Sequence, residues 1–181
     1  MTVDDDLWVF GYGSLMWDPG FDFVERFPAL VHGYHRVFCV TSHRYRGTPA
    51  RPGLVLGLDV GGSCRGMAYR VATDKAPEVL AYLDDREMMH HVYIAKTLRA
   101  RLPHGIVSAH AYVADRRHER YAGKLSPEAT ARYILQGRGD RGENRVYLEN
   151  TVAHLDALGL TDGPLHALRD LVREMAASRQ P

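Results

Sequence analysis

Apolar positions along the chain follow two rhythms, one of strand length and one of helical period. Leu7-Trp8-Val9-Phe10 is a continuous apolar run that ends at Gly11-Tyr12-Gly13-Ser14, so it predicts a buried strand running into a tight turn. Leu30, Val31, Tyr34, Val37, Phe38 and Val40 predict one long, bent strand over 29–42, or two joined at Gly33. Further strands are expected at Leu54 to Val60 and Arg65 to Val71, paired antiparallel as a hairpin through Gly61-Gly62-Ser63. Val92 to Leu102 and Ile106 to Ala114 form another pair, joined by Pro103-His104-Gly105. Phe21 to Phe27 reads as a short helix or an irregular segment, and His43 to Gly53, rich in Arg, Gly and Pro, as a cationic loop.

Helical period appears in four places. Ala76, Val79, Leu80 and Leu83 predict a helix capped by Thr73 and running to Arg86 or Glu87, with Pro77 tolerated in its first turn. Ser126-Pro127-Glu128 opens a helix to about Gln136. After a glycine-punctuated loop, Glu143 to Leu158 and Pro164 to Met175 predict two more, the first stopped by Gly159 and the second with Leu165, Leu168, Val172 and Met175 on one face.

One position breaks the pattern. Extending the 80–83 stripe by a turn reaches Glu87, a carboxylate where the periodicity asks for an apolar side chain. A carboxylate on that face must be paired, protonated or facing a cavity. Two readings stand side by side: a structural salt bridge with Arg86, Arg99 or another base, and a carboxylate of raised pKa suited to moving protons.

Composition narrows the class. The 181 residues suit one compact domain, 1–181, and a formal charge of +1 with mixed signs lacks the footprint of a nucleic-acid binder. No basic region precedes a long apolar run, so neither a signal peptide nor a membrane span is expected. Cys39 and Cys64 lie in apolar contexts outside Cys-x-x-Cys spacing and read as reduced core thiols of a cytoplasmic protein. The expected partner is a small molecule.

Familiar catalytic patterns are missing. There is no His-Glu-x-x-His, His90-His91 would point apart on a regular element, and neither cysteine has ligand spacing, so no metal is expected. Ser14 lacks the Gly-x-Ser-x-Gly elbow of a serine nucleophile and suits a hydrogen-bonding role instead. Gly137, Gly139 and Gly142 spell Gly-x-Gly-x-x-Gly, but after a helix rather than a strand, which is no dinucleotide fingerprint. The features left are a glycine turn able to present N–H groups to an anion, the misplaced Glu87, a cationic loop and scattered tyrosines.

These features resemble a known family. Phe10-Gly11-Tyr12-Gly13-Ser14-Leu15-Met16-Trp17, then Arg46-Gly47-Thr48-Pro49 ahead of Pro52-Gly53, Gly66-Met67-Ala68-Tyr69-Arg70, Arg86-Glu87-Met88 with Tyr93 beyond, and Asn144-Arg145-Val146-Tyr147-Leu148 resemble, in order, the signatures of the ChaC-like γ-glutamylcyclotransferases. Met after Arg-Glu is similar to the bacterial, glutathione-specific members. The resemblance implies an α+β, γ-glutamylcyclotransferase-like fold, a small mixed β-barrel surrounded by helices, and cleavage of glutathione to 5-oxoproline and cysteinylglycine without metal or cofactor. It implies Glu87 as the catalytic residue and Tyr12, Gly13, Ser14 and Leu15 as the substrate-binding loop. Arg46, Tyr93 and Tyr147 follow as substrate-binding candidates, on motif position and charge.

Two stretches depart from the family pattern, Met89-His90-His91-Val92 and His43-Arg44-Tyr45, and both bear on acceptor-side specificity. Alternatives are therefore a cyclotransferase for another γ-glutamyl amine or amino acid, and a ligand-binding regulator of cation transport with no enzymatic role.

Overall fold

The structure, a computed structural model, describes residues 6–87 and 91–179. Met88, the last residue of the Arg-Glu-Met match, and Met89 and His90, the first two of the segment that departs from the family pattern, lie outside the described residues. Seven strands and four helices are assigned among those described: β1 (Leu7–Gly11), β2 (Glu25–Ser42), β3 (Gly53–Val71), α1 (Ala76–Glu87), β4 (Tyr93–Leu102), β5 (Gly105–Ala114), α2 (Pro127–Gln136), β6 (Arg138–Gly139), β7 (Gly142–Glu143), α3 (Asn144–Ala157) and α4 (Gly163–Ala177). The first five strands close a barrel in the order β1-β3-β2-β4-β5. Pairing is mixed: β1 runs antiparallel to β3 and parallel to β5, and β4 runs antiparallel to β5 from Tyr93↔Ala114 to Leu102↔Gly105. The α+β barrel expected from the family resemblance is therefore present.

The chain divides into two compact units. The first comprises residues 1–36 and 58–115 and the second 37–57 and 116–181, so β2 and β3 each supply residues to both. In the first unit Val9, Phe10, Leu58, Ala68, Tyr69, Val71, Leu83, Ala109 and Tyr112 are buried, so β1, the end of β3 and the end of β5 are covered on both faces and α1 buries Leu83. In the second unit α2, α3 and α4 pack on one another through Ile134, Leu148, Val152, Leu155, Leu165, Leu168 and Val172.

Three expectations need correction. Residues 53–71 form one strand and no hairpin. Gly61 and Gly62 do adopt positive φ, +108° and +67°, but as a bend within the strand, and the His35 ring bonds the Gly61 carbonyl at 2.9 Å. A positive-φ glycine pair serves a bulge as well as a turn, and the available long-range partners decide which forms. Residues 67–71 pair with β1 rather than folding back on 54–60. Second, Thr73 stands in a 3-10 turn, Thr73–Lys75, that precedes α1, rather than directly at the start of the helix, and its N–H and hydroxyl both donate to the Asp6 carboxylate, at 3.2 and 3.0 Å. Asp6 also pairs with Arg70. Third, the 137–142 loop contains a small hairpin, Arg138↔Glu143 and Gly139↔Gly142.

Glycines of the second unit explain part of the motif pattern. A Cβ on Gly53 would stand 2.2 Å from the Arg46 carbonyl oxygen, and one on Gly137 2.5 Å from the same atom. Asn144, fully buried, accepts from the Leu54 N–H at 2.7 Å and donates to the Leu54 carbonyl at 2.8 Å. The side-chain amide thus takes the place of a neighbouring strand at the start of β3. Gly47, Gly53 and Asn144 are architectural.

Candidate active site

The site in the first unit begins where β1 stops. At Gly11 the strand gives way to a single 3-10 turn, Ser14–Met16, with Leu15 and Met16 buried beneath it. Gly11 is needed for space, since a Cβ there would lie 3.0 Å from the Leu15 Cβ. Gly66 is needed for the same reason across the ladder, where a Cβ would sit 2.3 Å from the Gly11 carbonyl oxygen. Neither Gly11 nor Gly13 has positive φ, Gly13 standing at −126°, so close approach of the chain, not backbone handedness, is what presses on a side chain at 11.

The turn's carbonyls are tied from behind. The Tyr69 hydroxyl lies 2.8 and 2.9 Å from the Leu15 and Met16 carbonyl oxygens. Arg36, buried, donates through Nε to the Tyr12 carbonyl and through Nη2 to the Arg65 carbonyl and the Met16 sulfur. Within the turn, Met16 N–H bonds the Gly13 carbonyl, and Trp17 and Asp18 N–H bond that of Ser14. The N–H groups of Gly13, Ser14 and Leu15 carry no hydrogen bond among the described residues. A turn with its acceptors occupied and its leading donors open suits a negatively charged group.

Glu87 is the last residue of α1, and the i, i+4 line Val79, Leu83, Glu87 carries it past two buried apolar residues. Its side chain is 20% exposed, and burial pushes its carboxyl above the ordinary value of 4.5 while the Arg86 charge pulls it down. The salt-bridge reading is thus partly realised. Arg86 Nε lies 3.6 Å from Glu87 Oε1, too long for a hydrogen bond. The guanidinium's hydrogen bonds go elsewhere: Nη2 donates to Ser14 Oγ at 2.9 Å, and Nη1 to the Asp18 carbonyl at 2.8 Å, the Pro19 carbonyl at 3.2 Å and the Tyr82 hydroxyl at 2.9 Å. Desolvation outweighs the ion pair, and Arg86 acts mainly as a tie between the end of α1 and the turn.

Tyr93 opens β4 opposite Ala114, and Ala95 stands opposite Tyr112. Directly opposed residues share a face, so Tyr93 and Tyr112 lie diagonally on one face of the β4–β5 ladder. Tyr112 donates to Asp84 of α1 at 2.7 Å, and burial together with that bond holds its phenol above the ordinary range. Arg46 and Tyr147 belong to the second unit, where the guanidinium stacks on the ring at 5.2 Å and Nη1 donates to the Arg141 and Glu143 carbonyls. Burial lowers the Arg46 pKa, with the Tyr147 phenol opposing and the Arg141 charge adding to the shift.

Sequence reasoning missed Arg36, Tyr69, Asp84 and Tyr112. Arg36 and Tyr69 sit in strand patterns among apolar neighbours, and a polar group placed there is a signal of a long-range partner.

Comparison with known proteins bears on the same residues. The model of the ChaC-like protein family matches residues 7–175. The chain belongs to the ChaC-like family. A glutathione-specific γ-glutamylcyclotransferase from Escherichia coli K12 is 34% identical over 176 residues, covering 97% of this chain and 76% of that one. Glutathione-specific γ-glutamylcyclotransferase 1 of Homo sapiens is 35% identical over 176 residues, 93% of this chain and 79% of that one. Among solved structures, the γ-glutamylcyclotransferase specific to glutathione from yeast superposes with a TM-score of 0.83 at 25% identity, covering 94% of this chain and 96% of that one. In this ChaC-like chain the matched region contains both the 12–15 turn and Glu87.

Proposed function

We propose that this ChaC-like protein is a glutathione-specific γ-glutamylcyclotransferase, a single domain over residues 1–181 that converts glutathione to 5-oxoproline and cysteinylglycine. The relatives of that name support the activity, and one structural observation carries the mechanism: a partly buried carboxylate, Glu87, tied through Arg86 to a turn whose N–H donors are open.

The substrate supplies its own nucleophile. The α-amine of a γ-glutamyl group can reach its own γ-carbonyl and close a five-membered ring, so the site has to fold the substrate into attack geometry. Such positioning can supply on the order of 7–11 kcal/mol. Glu87 in its ionised form accepts a proton from the ammonium, the amine nitrogen bonds to the γ-carbon and gives up a second proton as the lactam forms, the amide bond to cysteine breaks, and the two protons end on the departing nitrogen, which leaves as an ammonium. One C–N bond forms, one breaks, and no water enters. A raised carboxyl pKa brings Glu87 nearer to the pKa of the amine it deprotonates, which favours the transfer. The N–H groups of Gly13, Ser14 and Leu15 hold the α-carboxylate or the developing oxyanion, and Tyr12 fixes the turn through its carbonyl. With its oxygen accepting from Arg86, the Ser14 hydroxyl keeps its own proton to donate to substrate. Arg46, Tyr93 and Tyr147 are assigned substrate contacts from motif position and charge.

A reducing, cytoplasmic setting fits two cysteines that are both buried and in no disulfide, and among the described residues no helix is long and apolar enough to cross a membrane. The test of function is incubation of the purified protein with glutathione. Equal amounts of 5-oxoproline and cysteinylglycine are expected, and their absence with a folded protein would overturn the assignment.

A further inference from the structure

The strand β5 has two attachments that bear on the geometry of the site. Its residues Ala109 and His110 pair with Trp8 and Val9 of β1, the strand that runs into the 12–15 turn. One alternation further along the same strand, Tyr112 donates to Asp84 Oδ1 at 2.7 Å. Asp84 is exposed on α1, so only the phenol end of Tyr112 is needed there, while the ring itself is buried and meets His110 edge to face at 5.0 Å. From Asp84 to Glu87 is i to i+3, less than one helical turn, and such residues lie on neighbouring parts of one helix surface.

We propose that Tyr112, through its hydrogen bond to Asp84, is a positioning residue that sets Glu87 against the 12–15 turn. Two anchors then fix the end of α1. Arg86 ties it to the turn through Ser14, Asp18 and Pro19, and Tyr112 ties it to the strand that registers β1. A single anchor leaves rotation about the anchored point, whereas two anchors on α1 remove it. The bond needs only an acceptor at position 84, so an asparagine there keeps it and an alanine does not. The inference rests on the cyclotransferase reading of the site.

The experiment is a double-mutant cycle on purified, folded full-length protein with glutathione as substrate, measuring kcat and KM separately. Tyr112→Phe and Asp84→Ala are each expected to lower kcat about tenfold, with KM within about twofold, because a carboxylate displaced by a fraction of an ångström loses attack geometry rather than substrate affinity. The double variant should be no worse than either single one, and Asp84→Asn should recover most of the rate. Asp84 lies on the exposed side of α1, so its variants keep the test open should Tyr112→Phe fold poorly. Additive losses, wild-type kcat in Asp84→Ala, or an Asp84→Asn variant as slow as Asp84→Ala would each overturn the proposal. A wild-type protein that yields no 5-oxoproline would instead overturn the function on which it rests.

Discussion

Arg86 donates to the Ser14 hydroxyl oxygen at 2.9 Å, and this bond joins the residue beside Glu87 to the turn with open N–H groups. The two parts of the candidate site are 72 residues apart in sequence at this contact. Were Arg86 simply the counter-ion of Glu87, its donors would face that carboxylate. They face Ser14, Asp18, Pro19 and Tyr82, and the Glu87 carboxyl is left with its pKa raised by burial.

Glu87→Gln preserves shape and removes proton transfer. Turnover of glutathione should fall by roughly 10²-fold or more. Stability should move the other way. A carboxyl whose folded pKa lies above its unfolded one stabilises the fold when protonated, and that contribution is lost as pH rises through the folded pKa. At neutral pH the ionised Glu87 is therefore a liability, so Glu87→Gln should melt at or above the wild-type temperature at pH 7 and gain less at pH 4. A large drop in melting temperature would favour the structural salt bridge.

The same shift sets the pH dependence of the reaction. Glu87 must be ionised to accept the ammonium proton, so the acid limb of kcat/KM should fall above 4.5, the ordinary glutamate value. An acid limb at or below that value in a pH series would show that desolvation does not dominate at this carboxylate.

Replacing Arg86 by Gln removes both the tie to the turn and the charge that opposes the rise in the Glu87 pKa. We expect kcat/KM to drop about tenfold or more from lost alignment, and the acid limb to move to still higher pH. A loss of rate with an unmoved acid limb would separate the mechanical role of Arg86 from the electrostatic one.

Much of this arrangement is legible along the chain. The β4–β5 pair, the Ser126 cap of α2 and the break in the Val79–Leu83 line at Glu87 are local or periodic signals, and they lie where the pattern puts them. Gly61-Gly62 misleads because its positive φ values serve a bend within β3, and only the pairing of 67–71 with β1 reveals this. The functions of Arg36, Tyr69 and Tyr112 are hidden for a related reason. Their partners Tyr12, Leu15 and Asp84 are 24, 54 and 28 residues away, and no spacing rule links groups that only the closed barrel brings together.

Asn144 gives a test of the architectural part of the motif set. Truncation to Ala leaves the N–H and carbonyl of Leu54 buried without their side-chain partner. A loss of about 2–6 kcal/mol is expected in denaturant unfolding, from two unsatisfied groups at roughly 1–3 kcal/mol each. A change below about 0.5 kcal/mol would mean that water replaces the amide without cost.

The central claim is that the substrate's own amine, not water, cleaves the γ-glutamyl bond in a site built from Glu87 and the 12–15 turn. Product analysis by mass spectrometry after turnover of glutathione in ¹⁸O-labelled water tests it most directly. Unlabelled 5-oxoproline in equal amount to cysteinylglycine is expected, since the γ-carbonyl oxygen never exchanges with solvent and no water adds. Glutamate carrying ¹⁸O in its γ-carboxyl as the first product would contradict it, because the protein would then be a hydrolase and Glu87 would be activating water.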